Sequence, residues 1–213
     1  MKILALDTAL DACSAAVLDG DVVRAARSEP MSRGHQERLA TLVSEVMSES
    51  GLGFPDLDRI GVTVGPGSFT GLRVGLAFAK GLGFALGRPV AGLGALHGLA
   101  ASEPAAGFTA AVVDARREQV YVQGFRDGVS ATHPEALSVE DAVDLLIHVD
   151  ARGPDRLVGS GAALLAEALP AAERIARLGP DPVALARLAA VVPAPFEAPK
   201  PLYLRAPDAK LPA

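Results

Sequence analysis

The sequence predicts an α/β fold in two related domains, each built around a mixed sheet. Three features of the 213-residue chain lead to that expectation. The chain opens with three strand-like segments before any helical periodicity. An apolar strand, Ile60–Val64, then runs into a Gly-rich turn and a long apolar helix, and the same succession returns more loosely after Phe108. Sheets that join an antiparallel meander to strand–helix–strand crossovers produce this order.

In the first half, Lys2–Leu6 and Cys13–Leu18 read as strands, and Asp19-Gly20 is a two-residue hairpin signal into a third, Asp21–Arg27. Leu39, Leu42, Val43, Val46 and Met47 fall at helical spacing between a polar start near Ser32 and a stop at Gly51. Ile60–Val64 is followed by Gly65-Pro66-Gly67, a capping Ser68 and a helix from about Phe69 to Leu86, and Pro89–Leu93 is a further strand. This is the order of a ribonuclease-H-like unit, and two such units in tandem make the actin-like ATPase (ASKHA) fold.

In the second half, Phe108–Val113 and Gln119–Phe125 are strand-like on either side of Asp114-Ala115-Arg116-Arg117, read as a charged hairpin turn. Ser138, with Asp141 three residues later, opens a helix. Leu157–Gly161 leads from a strand into a helix over Ala162–Leu169, and Arg174–Leu178 is strand-like. Asp181-Pro182 is a cap with proline at the first helical position, starting a helix to about Val192. A boundary is expected near Glu103-Pro104, giving domains 1–104 and 105–213. Prolines at 193, 195, 199, 201, 207 and 212 exclude helix from the tail, so it is expected to run extended and to dock through Leu202, Tyr203 and Leu204.

The long helix carries Gly71, Gly75, Ala79 and Gly83, each four residues after the last. An interior Gly costs on the order of 0.5–1 kcal/mol against Ala, so a regular series marks the close approach of another backbone. Leu72, Val74, Leu76, Phe78, Leu82 and Phe84 make the helix apolar almost all round, so it must be covered on most faces. Gly67, Ser68, Phe69, Gly71, Leu72, Gly75, Ala79 and Gly83 are therefore expected to form a surface that meets another protein; packing of the ridge on the first helix is the alternative. Glycines ahead of a helix also suit a phosphate cradle. The P-loop pattern, however, needs Lys and then Ser/Thr after its last Gly, and here Leu72 and Arg73 follow Gly71.

Composition narrows the function classes. The net charge is −5, and neither half is basic: residues 1–104 carry nine basic and eleven acidic side chains, residues 105–213 eleven and fourteen. A tRNA-binding surface neutralises phosphates with a basic stripe, so the chain is expected not to hold RNA unaided. The single Cys13 excludes an internal disulfide framework and a cysteine-cluster metal site, and its apolar surroundings suit a small buried hydrophobe. No stretch reaches the roughly 20 uninterrupted apolar residues of a membrane span, and no secretory core precedes the first strand, so a cytoplasmic protein is expected.

The block Gly65-Pro66-Gly67-Ser68-Phe69-Thr70-Gly71-Leu72-Arg73-Val74-Gly75, with Leu4–Thr8, Asp114–Arg117 followed by Val120-Tyr121, and Pro201–Arg205, resembles the TsaB (YeaZ) family over nearly the whole chain. The resemblance implies a non-catalytic subunit, a pseudoenzyme of the glycoprotease family, that pairs with the TsaD paralogue and is joined by the ATPase TsaE. That assembly uses ATP and transfers a threonylcarbamoyl group from its adenylate to adenosine 37 of tRNAs reading codons that begin with A. Contact with tRNA through the complex alone, no membrane, and a homodimer in the partner's absence complete the expectation. An independent kinase or ATPase of the same fold is the alternative.

In an actin-like ATPase, Asp7 and Thr8 at the end of the first strand and Gly159 and Gly161 in a later loop would take the nucleotide. The residues after Thr8 are Ala9-Leu10-Asp11-Ala12, with no glycine to admit a phosphate and with Asp11 adding repulsion. The chain is thus expected to bind no cofactor firmly. The catalytic paralogue holds metal with two histidines four apart on a helix; Ala95 and Leu99 stand at those positions, with His97 between them on another face, so no metal site and no catalytic residue is expected. Ser68 and Ser160 have no histidine placed beside them, which leaves a peptidase reading without support. His35 lies on the apolar stripe of the first helix as a packing residue, and His133 and His148 read as surface positions. The paired arginines of Asp114–Arg117 belong either to a plain surface turn or to a contact with carboxylate or phosphate.

Overall fold

The computed structural model describes residues 1–193 and 197–205, so Pro195, Pro207 and Pro212 of the tail lie outside the described residues. The first sheet starts as an antiparallel meander of β1 (Lys2–Asp7), β2 (Ala12–Asp19) and β3 (Val22–Pro30). After α1 (His35–Ser50), β4 (Arg59–Gly65) pairs parallel with β1, and after α2 (Phe69–Leu86), β5 (Val90–Gly94) pairs parallel with β4. The strand order is β3-β2-β1-β4-β5.

A short helix, α3 (Ala95–Ala101), leads to β6 (Phe108–Arg116), β7 (Gln119–Arg126), β8 (Val129–Ser130) and β9 (Glu135–Ser138). Then follow α4 (Val139–Val149), β10 (Arg156–Val158) and β11 (Glu173–Ile175). The second sheet runs β11-β10-β6-β7-β8, with β9 also on β7. Counting each sheet from its own first strand gives the same order twice, so the expected α/β architecture with two mixed sheets is present.

Local chemistry sets the ends of the helices. Ser68 Oγ accepts from Gly71 N–H at 3.2 Å to start α2, and Gly87, in the left-handed region, ends it. Ser138 Oγ accepts from Asp141 N–H at 3.0 Å ahead of α4. Asp181 Oδ1 accepts from Val183 and Ala184 N–H at 2.7 and 3.1 Å, with Pro182 opening α5 (Pro182–Val191). One expected helix is not formed: Ala162–Leu169 supplies only a 3-10 turn over Ala162–Leu165. No side chain caps its start at Gly161, and Pro170 blocks its extension.

The last helix crosses back. α5 lies on the first sheet, with Leu185, Ala186 and Ala189 packed among Ile3, Ala5, Ala16, Leu18 and Leu93. Arg59 Nη1 donates to the carbonyls of Ala189 and Val192 at 2.5 and 2.9 Å, fastening its C-terminal end.

The small-residue ridge of α2 faces inward, which corrects the expectation of a partner surface there. Gly71, Leu72, Gly75, Ala79 and Gly83 are all buried. A Cβ on Gly71 would collide with the Thr8 carbonyl oxygen, one on Gly75 would lie 2.5 Å from Thr8 Oγ1, and one on Gly83 would strike Val90. The glycines of the ridge are therefore seated on the strands of their own sheet and the turn after β1, and Ala79 lies in the core that the sheet shares with α1. By length and composition the 18-residue α2 could also cross a membrane, but this face is already taken by the sheet. Gly71→Ala is expected to lose about 2–4 kcal/mol of stability or fail to fold. Gly81→Ala, on the same helix with nothing within 4 Å, is expected to gain roughly 0.5–1 kcal/mol. Urea denaturation of the pair checks this, and equal effects from both would contradict inward packing.

Candidate functional site

Loops from both sheets meet across a cavity of about 400 Å³, lined among others by Leu10 and Asp11 after β1, Ser68 before α2, Asp114 and Arg116 of the β6–β7 hairpin, and Ser160. Asp7 and Thr8 do not line it. Asp7 is wholly buried, with Oδ1 accepting from Ala9 N–H at 3.0 Å and from the Thr63 hydroxyl, while Oδ2 has no hydrogen-bond partner. Burial pushes its carboxyl above the usual range, opposed by the Thr63 bond, by Ala9 N–H and by nearby His35. Thr8 Oγ1 donates to the Gly71 carbonyl at 2.7 Å.

The corner before α2 is filled by backbone carbonyls. Ser68 N–H donates to the Ala9 carbonyl at 2.7 Å, that same oxygen lies where a Cβ of Gly67 would stand, and the Thr8 carbonyl abuts Gly71. A phosphate cradle needs N–H groups there, whereas these oxygens would repel an anion. The glycines serve close packing.

The second candidate loop is built alike. Gly159, at φ +123°, brings its backbone against the Val112 carbonyl, and Gly161 N–H donates to that carbonyl at 3.0 Å. Between them, Ser160 reaches the cavity and its Oγ accepts from Asp114 N–H at 3.2 Å. Strand β6 continues through Asp114 and Ala115, so the turn is tighter than expected: Arg116, Arg117 and Glu118 take φ of +65°, +55° and +60°. Three consecutive non-glycine residues in this region store strain of order 1 kcal/mol each. Asp114 accepts from Arg116 N–H at 2.7 Å and from its Nη1 at 3.1 Å.

Ala95 and Leu99 are fully buried, and His97 stacks on Phe125 with ring centroids 5.2 Å apart; burial lowers the pKa of its imidazole. Among the described residues no group of three His, Cys, Asp or Glu is placed to hold a metal ion. Burial, with Asp7 nearby, pushes the Cys13 thiol up to about 11, which keeps it protonated. His35 is buried with Nε2 unpartnered, and His133 and His148 are exposed.

The opposite face of α2 is open. Phe69, Arg73, Ala77 and Lys80 are exposed along it, and Phe84 is 92% exposed. Leu39 and Ala40 of α1 face Phe69, Val74, Ala77 and Phe78 across a groove of about 530 Å³. Of the residues expected at a partner surface, only Ser68 and Phe69 are exposed, and Gly67 is half-buried. The tail docks at this end of the helix: Leu202 N–H donates to the Val64 carbonyl at 2.7 Å, the Tyr203 ring lies 5.3 Å from that of Phe69, and Arg205 Nη1 donates to the Ala115 carbonyl at 3.0 Å.

A family model described as "TsaD: tRNA N6-adenosine threonylcarbamoyltransferase" matches residues 28–211. A protein of Mycobacterium tuberculosis is 37% identical over 210 residues, 98% of this chain and 93% of its own length. The tRNA threonylcarbamoyladenosine biosynthesis protein TsaB of Escherichia coli is 36% identical over 124 residues, 57% of this chain and 53% of that protein. The solved structure of YeaZ from Pseudomonas aeruginosa superposes with a TM-score of 0.77 at 30% identity, over 95% of this chain and 99% of that one. The chain belongs to the TsaB (YeaZ) family. A dehydratase activator from Clostridium difficile with bound ADPNP, 11% identical with a TM-score of 0.51, shares the fold alone, the actin-like ATPase architecture.

Two features of this TsaB-family chain escaped the sequence. Arg205 reaching Ala115 has no periodic signal, although both lie in family motifs. The outward face of α2 carries no signal as regular as the four-residue spacing of small residues on its buried side. Asp7 gives a test of the interior of the site. Its pKa is higher folded than unfolded, so the stability it contributes is complete below the unfolded value and is lost as pH rises through the folded one. Asp7→Asn is thus expected to melt above the parent at pH 7, with about 1 kcal/mol giving roughly 2–4 °C, and to lose that gain below about pH 4. Melting curves from pH 4 to 8 decide it; a parent more stable than the variant at pH 7 would mean that the ionised carboxylate is favoured there.

Proposed function

We propose that this chain is a non-catalytic partner subunit in the synthesis of tRNA threonylcarbamoyladenosine, and that it pairs with a TsaD paralogue through the outward face of α2 and the groove beside α1. The observation that carries the reading is that face: Phe69, Ala77 and Phe84 are exposed on a helix whose other side is already seated on the sheet. Apolar surface of this kind marks a place where another protein docks. A paralogue of similar build can lay a like helix there, and the same patch on a second copy gives a homodimer when the paralogue is absent. The match to the TsaD family model and the pathway named for the E. coli relative support this choice of partner.

In this reading TsaE joins the pair and ATP is used by the assembly. The threonylcarbamoyl group passes from its adenylate to adenosine 37 of tRNAs reading codons that begin with A, in the cytoplasm. The charge of −5 supports tRNA being held elsewhere in the complex, and the carbonyls of Thr8 and Ala9 at the corner support a role without phosphate chemistry. A second reading, a kinase or ATPase, makes Asp7, Thr8, Gly159 and Gly161 a degenerate nucleotide site; the cavity between the sheets favours it, although none of those four residues lines that cavity.

Ala77→Glu, at an exposed helical position, is expected to leave the melting temperature within about 2 °C while weakening association with the TsaD paralogue at least tenfold in analytical ultracentrifugation. The isolated chain is expected to hydrolyse ATP no faster than background. Magnesium-dependent turnover abolished by Asp7→Asn would favour the second reading.

A further inference from the structure

The rim of the α1–α2 groove carries a side chain held more firmly than its exposure requires. Arg73 is exposed, yet its guanidinium carbon lies 3.8 Å from the centroid of the Phe69 ring, and its Nε donates to Tyr203 Oη at 3.2 Å. The Phe69 and Tyr203 rings lie 5.3 Å apart at 33°. Tyr203 is itself placed by backbone: Leu202 N–H bonds the Val64 carbonyl, and its own carbonyl oxygen would stand 2.8 Å from a Cβ on Gly65. Among the described residues no carboxylate pairs with Arg73, and neither Nη is hydrogen-bonded.

Resting on the docking surface proposed above, we infer that residues 201–205 belong to that surface, and that Arg73, fixed by Phe69 and Tyr203, is a preset receptor for a carboxylate on the docking helix of the TsaD paralogue. A free arginine loses much rotamer entropy when it is captured; here the aromatic contact and the Tyr203 hydroxyl have already restricted it, so less is lost on binding. The outer edge of the guanidinium offers a parallel pair of N–H donors that fits a carboxylate in bidentate fashion. The neighbouring groove is lined by Val74, Ala77 and Phe78, so an ion pair formed there would be partly shielded from water and stronger than on an open surface. Phosphate has the same appeal to an arginine, but the apolar groove beside it, lined by Val74, Ala77 and Phe78, fits a protein helix bearing a carboxylate.

The test titrates the TsaD paralogue of the same organism into the full chain by calorimetry at 50 and 300 mM salt. Parent, Ala77→Glu, Arg73→Lys and Tyr203→Phe proteins are compared, with melting curves as the control for folding. Arg73→Lys keeps the charge and loses the fork, and is expected to weaken binding about tenfold. Tyr203→Phe keeps the ring and loses the tether, and is expected to weaken it roughly threefold; both variants keep the positive charge, so both are expected to keep the salt dependence of the parent. If Ala77→Glu abolishes binding while both other variants match the parent, the docking surface stands and the carboxylate receptor is overturned. If Ala77→Glu binds like the parent, the docking surface lies off α2 and this inference falls with it. An Arg73→Lys effect seen only on self-association or on added tRNA also overturns it, by assigning Arg73 another ligand.

Discussion

The seating of α2 on the end of β1 is the contact on which the rest of the structure depends. Thr8 meets Gly71 twice, its carbonyl packed against the glycine where a side chain would stand and its hydroxyl donating to the Gly71 carbonyl at 2.7 Å. Because Gly67 and Gly75 close on the same turn, helix and strand approach more nearly than any side chain would allow. That approach turns Leu76 and Ala79 into the core with Leu4, Leu6, Ile60 and Val62, and it fixes which face of α2 is left for solvent.

The same contact fills the corner before α2 with backbone oxygens. The glycines that could bare N–H groups to an anion are occupied by the carbonyls of Thr8 and Ala9, and Asp7 is sealed behind them with Oδ2 unpartnered. One set of glycines cannot serve both purposes. A chain that uses them for close packing gains a firmly held helix, and such a helix is suited to present an apolar outer face to another protein.

The elements were legible in the sequence where local chemistry decides them. Ser68, Ser138 and Asp181 cap the helices they were expected to cap, and Gly51 and Gly87 end theirs, because a cap depends on residues within one turn of chain. The expected helix over Ala162–Leu169 failed for the same local reason, a missing cap and a proline. What was not legible depends on distance. A run of glycines reports that something comes close without reporting what, so the ridge read as a partner surface was filled by Thr8 and Val90 of the same chain. Nor could spacing reveal that α5, from the second half, would lie on the first sheet, since its apolar residues suit either sheet.

The two halves share one strand order but not one use. Between β4 and β5 the crossover is the 18-residue α2; between β10 and β11 it is only the 3-10 turn Ala162–Leu165, bound closely to β6 through Gly161 and Val112. The second unit therefore has no long helix at the equivalent place and no outer face to match that of α2. A duplicated fold with equal crossovers would offer docking helices at two places, and partners could compete for them. With one crossover shortened, the first unit alone presents the helix, and the tail returns to that same end, where Leu202 joins Val64 and Tyr203 meets Phe69. From there Arg205 reaches Ala115 on the hairpin of the other sheet. The chain thus ties its cleft to the N-terminal end of the helix that faces outward, through the contacts of Leu202, Tyr203 and Arg205.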